Sequence, residues 1–159
     1  GNRPLSLGAI SDGISNTIAI SEILPWDRSD SSLRVTYNTR IGYVASDPAA
    51  FELLCKACLS GDYDIDGNGK PASVGTLHGR PWTLGDMGAT LYTHSLVPLS
   101  PSCFNGSQVQ TGVFSAASSH SRAVNAAFAD GHVRIINSAV DAATWRAQGG
   151  RNDHLVLSQ

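Results

Sequence analysis

The sequence predicts an α+β fold dominated by β-structure, on three observations. The first is composition: 159 residues carry 16 glycines, and the acids and bases are drawn mainly from Asp and Arg. That balance favours turns and strands over long helices. The second is that three stretches, 17–24, 34–45 and 124–135, run as apolar segments or alternate apolar with polar residues, which is the mark of strands. The third is that helix signals surface in two short stretches, an apolar period over 51–59 and a capping-box-like start at Ser138 and Asp141. With 42% hydrophobic residues, the chain can build one core and is too short for two comfortable ones. The expectation is therefore a single domain over 1–159 with an antiparallel sheet, a C-terminal hairpin, two short helices and long loops.

Taken in order, SDGISN (11–16) is a turn that feeds TIAISEIL (17–24), a strand. RVTYNTRIGYVA (34–45) alternates well enough for a second strand with one wet face. The period then changes. Asp47 and Pro48 make a cap and first position for a helix, and Phe51, Leu54, Cys55, Cys58 and Leu59 fall on one apolar stripe. Glu52 and Lys56 pair outside that stripe, and Gly61 is the stop. From 60 to 119 the chain reads mostly as loop, with turn signals at GDYDIDGNGKP and PLSPSCFNGS and short strands near PWTLG and ATLYTHSLV. So much irregular chain must be tied down, and Cys103 lies within it.

The C-terminal third is more regular. Asp130-Gly131 between two apolar alternations predicts a two-residue type I′ hairpin, since both central positions need positive φ. Pairing across it places Val124, Ala126, Phe128, Val133 and Ile135 on one face, and Asn125, Ala127, His132 and Arg134 on the other. Ser138 and Asp141 then open a helix through Gln148, stopped by Gly149-Gly150, with Trp145 as its anchor against the sheet.

Several function classes are excluded by composition and motif. A net charge of −2 without a basic cluster gives a phosphate backbone nothing to steer toward, so nucleic acid is not expected as a partner. No apolar run reaches the ~20 residues of a membrane span. The opening GNRPLSLGAI does not look like a natural start, and an export signal or anchor ahead of it is expected. There is no G-x-S-x-G elbow, no H-E-x-x-H and no phosphate loop, so a non-enzyme is expected. Zinc is not expected either, because Cys55 and Cys58 have no second Cys/His pair at ligand spacing.

Three groups of residues remain as candidates. His120 precedes Asp130 by ten places, and an extended chain would separate them by roughly 30 Å at ~3.3 Å per residue. Asp130 is therefore read as a turn residue. His120 is either a ligand or base working with Glu22, or a histidine bonded to backbone at the hairpin entrance; Glu22 is expected to pair with an arginine such as Arg134. DYDIDGNGK (62–70) offers Asp62, Asp64 and Asp66, then Gly67 and the backbone of Asn68, the first half of an EF-hand-type calcium loop. Its second half fails, with Ser73 in place of the bidentate Glu and Pro71 against a following helix. The expectation is a weak calcium site or a plain exposed turn. Trp26, Trp82 and Tyr92 form a possible ligand platform by stacking. Asn105-Gly106-Ser107 matches a glycosylation sequon and is taken as coincidence. His78, His94, His132 and His154 have no spacing that suggests a shared metal.

His120, nine intervening residues, Asp130-Gly131 and then HVRIINSAVDAATWRAQGG (132–150) resemble the C-terminal signature of the pseudopilin-like H-x9-DG proteins, a domain of unknown function abundant in planctomycete bacteria. ISDGISNTIAISE (10–22), with Asp12, Gly13 and Glu22, is similar to that family's turn-strand element, and GRPWTLGDMGATLYTHSLVPLSPSC (79–103) to its Trp-Gly segment ending in Ser-Pro-Ser-Cys. The blocks keep the family's order over about half the chain. Two departures stand out: Ser121-Arg122-Ala123 replaces a Pro-Gly-Gly-like turn, and Pro98-Leu99 replaces Pro-Asn. The prepilin-like N-terminal helix that serves membrane anchoring and filament packing in that family is absent here. The resemblance implies export to the cell surface, periplasm or exterior, anchored in the full-length protein through that helix. Export makes disulfides permissible: Cys58 with Cys103 is expected, with Cys55 as the alternative. The implied role is a non-enzymatic pseudopilin-like or surface subunit, the head of a filament or type II secretion-like assembly, with copies of itself or other pilin-like subunits as partners. The alternative is an extracellular solute- or glycan-binding module.

Overall fold

The computed structural model describes residues 6–25, 33–41, 47–71, 74–75, 78–80, 83–86, 89–105 and 112–152. A 3-10 turn at Leu7–Ala9 precedes β1 (Ile18–Ser21), β2 (Thr36–Asn38), α1 (Pro48–Ser60), β3 (Val74–Gly75), β4 (Ser102–Phe104), β5 (Gly112–Val113), β6 (Ala123–Phe128), β7 (Val133–Asn137) and α2 (Ala142–Gln148). The strands form two sheets, a three-stranded one in the order β1-β6-β7 and a four-stranded one in the order β3-β2-β4-β5. The first is antiparallel throughout, whereas β2 and β4 run parallel in the second. The architecture is α+β.

The β1-β6-β7 sheet buries Val124, Ala126, Phe128 and Ile136 against the fully buried Trp145 of α2. The hairpin exists, but its turn differs from a type I′ pair. Gly131 has φ of 92° while Asp130 stays outside the left-handed region. Gly131 N–H donates to Phe128 C=O at 2.9 Å, and Phe128 N–H donates to His132 C=O at 2.9 Å. Ala129, Asp130 and Gly131 thus make a three-residue loop, in which one glycine absorbs the positive φ. The extra residue slips the register by one: Ala127 faces Val133 and Asn125 faces Ile135. A one-residue slip exchanges the faces of a strand. Val133 and Ile135 therefore lie with Asn125 and Ala127 on the outer face, not with the core, while the His132 ring stacks on Phe128 at 4.3 Å. Arg134 likewise changes sides, with its guanidinium 5.9 Å from the Phe128 ring centre.

Helix α1 starts and stops as its sequence dictates. The Asp47 carboxylate accepts from the Ala49 N–H at 3.0 Å, and Gly61 closes the helix at φ 74°. Its buried side is Leu54, Cys55, Ala57 and Cys58, with Leu59 turned outward. Cys58 bonds to Cys103 in β4, with 5.8 Å between their Cα atoms, and Cys55 stays a buried free thiol. Helix α2 is shorter than expected, because Asp141 rather than Ser138 is its cap, accepting from the Thr144 N–H at 2.9 Å. Between α1 and β6 the strands fall at 74–75, 102–104 and 112–113; no strand forms over 89–97, and 81–82 of PWTLG lie outside the described residues.

Candidate functional site

The H-x9-DG block divides into two separate contacts. Asp130 turns to its own hairpin, where its carboxylate accepts from the His132 N–H at 3.1 Å and lies 2.6 Å from His132 Nδ1. Hydrogen bonds from His132, first through its backbone, hold the Asp130 carboxyl below the usual carboxylate range. His120 goes elsewhere. Arg122 takes a left-handed φ of 61°, and this reversal folds His120 back beside Asn125. There His120 Nε2 lies 3.2 Å from Asn125 Nδ2 and 3.4 Å from Glu22 Oε1.

Glu22 is the centre of this corner. Its carboxylate accepts from the Asn125 N–H at 2.7 Å and from the Asn125 side-chain amide at 3.1 Å. Burial pushes its carboxyl upward, but the two Asn125 bonds and His120 outweigh that and hold it below its ordinary value. Arg134 is not its partner. His120 is also no backbone pin: its ring meets two side chains, while its own N–H donates to Ser118 Oγ. A neutral ring accepts from the Asn125 amide, and a protonated one donates to Glu22. The Ser118 hydroxyl is already spent on Ala123 C=O at 2.6 Å, so the corner holds a histidine without aligning that serine as a nucleophile.

A groove of about 360 Å3 runs along β1, lined by Ile18–Ser21 on one side and by Thr90, Leu91, Tyr92 and His94 on the other. Of the expected stacking residues Tyr92 is here, while Trp26 and Trp82 lie outside the described residues. His94 Nδ1 is 3.0 Å from Trp145 C=O, which can only accept, so that nitrogen carries the proton. Nε2 is then the acceptor for the Tyr92 hydroxyl at 3.0 Å. Burial pulls the His94 pKa down and pushes that of Tyr92 up, so both stay neutral. Thr90 and Ser21 also donate inward, to Leu84 C=O and Asn125 C=O. The groove wall is therefore uncharged, and its hydroxyls have their protons committed.

The aspartate loop does not gather its carboxylates: among the described residues no three acids, histidines or cysteines form a metal-holding group. Asp66 folds onto its own turn instead, accepting from the N–H groups of Asn68 at 2.8 Å and Lys70 at 3.0 Å. Asp64 N–H donates to Asn38 C=O, and Tyr63 stacks on Tyr37 at 4.2 Å between ring centres. Asp12 and Gly13 build the turn into β1, with Gly13 at φ 96° and its carbonyl accepting from Thr17 Oγ1. Sequence reasoning missed Asn125 and His94, since neither belongs to a spaced motif; Asn125, opposite Glu22 in the strand pairing, could be found only with the register in hand.

These features define a disulfide-tethered α+β protein whose distinctive surface lies on and beside one small sheet. A family model described as Protein of unknown function (DUF1559) matches residues 1–143, and the chain belongs to that family. No curated protein and no solved structure matches it.

Proposed function

We propose that this chain is the head of a pseudopilin-like, exported structural subunit that works without catalysis, in a filament or secretion-type assembly. The observation that carries the reading is the outer face of the β1-β6-β7 sheet, where Ile20 is 67% exposed, Val133 63% and Ile135 76%. Clustered apolar side chains left in water mark a contact surface more often than a chance of composition. The Cys58–Cys103 bond supports export, since such bonds persist in oxidising compartments. The H-x9-DG block and the two upstream blocks support the pseudopilin-like form, whose anchoring this reading assigns to a prepilin-like helix. The test is antibody labelling of intact cells that make the full-length protein, followed by shearing. Labelling of unbroken cells and recovery in the sheared fraction are expected; retention in the cytoplasm overturns the reading.

A second reading rests on Tyr92, which lines the groove beside β1. There the chain would be an extracellular solute- or glycan-binding module, with the Tyr92 ring as the stacking surface. A glycan array on the chain separates the two: reproducible hits lost in Tyr92→Ala favour the binder, and a blank array favours the subunit.

A further inference from the structure

We infer that copies of this chain join head to tail, the β7 edge of one adding to the β1 edge of the next. The inference rests on the subunit reading above and names its contact. Among the described residues, neither outer strand of the β1-β6-β7 sheet has a strand paired to its outer edge. Among the described residues, no backbone hydrogen bond reaches the far side of β1 between Ile18 and Ser21, or of β7 between Val133 and Ile136. Free edges are usually blunted by charge or proline, or covered. β1 carries neither charge nor proline, and β7 presents Val133 and Ile135 beside a single Arg134.

The two edges also match each other. Ile20, Ala127 and Val133 form one cross-strand row on the outer face, with Asn125 and Ile135 in the next. Joining β7 of one copy to β1 of another carries the apolar row on without a break, setting Val133 or Ile135 beside Ile20. The lengths agree, four residues in β1 and five in β7. β1 and β7 both run antiparallel to β6, so they are parallel to each other, and simple repetition of the subunit keeps strand direction. The groove along β1 has an uncharged wall, suited to an incoming backbone and not to an ion. A contact between two different edges leaves one of each open, so it propagates instead of closing as a dimer.

The test is sedimentation equilibrium of the chain from micromolar to submillimolar concentration, with Ile20→Lys and Ile135→Lys as variants. Both side chains point into solvent, and circular dichroism melts establish that the variants fold; Val133→Lys serves in place of Ile135→Lys if that one does not. The parent is expected to grow in average mass without stopping at a dimer. Each variant alone should remain monomeric, and the two mixed should form a one-to-one dimer, because one keeps a working β7 and the other a working β1. A parent that is monomeric throughout overturns the inference and leaves the β1 edge to some other occupant. A dimer abolished by only one variant also overturns it, since β1 or β7 would then pair with its own copy. Surface labelling of cells is measured separately, so a surface-exposed monomer removes the edge contact and leaves the subunit reading standing.

Discussion

At Glu22 two opposing effects meet, and their balance gives a pH dependence. Burial alone would raise the carboxyl, yet the Asn125 N–H, the Asn125 amide and His120 together hold it below its ordinary value. A carboxyl depressed in the folded state contributes stability that is complete above its unfolded pKa and is lost as pH falls through that value toward the folded one. Glu22→Gln removes the charge and turns an N–H2 toward the Asn125 donors. It should cost about 1 kcal/mol at neutral pH, the charged hydrogen bonds being discounted for solvent access. The gap between variant and parent should close in acid, and urea titrations at neutral and acidic pH check it. An equal gap at both would mean that the Glu22 charge contributes nothing. None of this was legible in the spacing of His120 and Asp130. Ten residues of separation argued against a direct pair, and the reversal at Arg122 and the three-residue hairpin loop do send the two side chains to different partners.

At the scale of elements, the disulfide and the aspartate loop make opposite predictions. The Cys58–Cys103 bond spans 45 residues of sequence, and in the chain-entropy account closing such a loop stabilises by about 4 kcal/mol. Thiol counting in denaturant without reductant should find one free thiol, Cys55, and reduction should lower the melting temperature steeply; three free thiols would remove the tether. The loop at 62–70 is built by its own hydrogen bonds, since the Asp66 carboxylate is taken up by the Asn68 and Lys70 N–H groups. Its melting behaviour is expected to be the same in chelator and in millimolar calcium. A calcium-dependent rise abolished by Asp64→Ala/Asp66→Ala would instead establish a cation site. The helices were legible because their caps are local: Asp47 with Pro48, Gly61 and Asp141 each act within a turn of their own position. β3, β4 and β5 were not, because strands of two or three residues carry no alternation and exist through partners far along the chain, as β4 does through β2. The faces of β7 were misread for a related reason: alternation gives the period of a strand, while the length of one turn decides which half of it is wet.

For the molecule as a whole, acid stability should divide into two windows. The lower one belongs to Glu22, Asp66, Asp130 and Asp141, all held below their ordinary values by hydrogen bonds in the fold. The upper one belongs to His78. That ring is 2% exposed, stacks on Phe114 at 5.6 Å, and has no hydrogen-bond partner at either nitrogen among the described residues. Burial pulls its pKa from 6.5 to about 4, so the folded chain excludes a proton that the unfolded chain accepts. Stability must therefore rise with pH across that interval and be flat below it as far as this residue is concerned. The loss on going from the top of the window to the bottom is about 3 kcal/mol, at ~1.4 kcal/mol per pH unit. His78→Phe keeps a ring against Phe114 and removes the proton site. It should leave stability at neutral pH equal or higher, because two unpartnered nitrogens leave the core. Its stability profile between about pH 6.5 and pH 4 should be flatter than the parent's, retaining the slope due to His94, whose pKa burial also lowers. Denaturant midpoints measured in steps across that interval give the comparison directly. Parallel profiles for parent and variant would mean that His78 takes up its proton in the folded state, and the upper window would then belong to His94 alone.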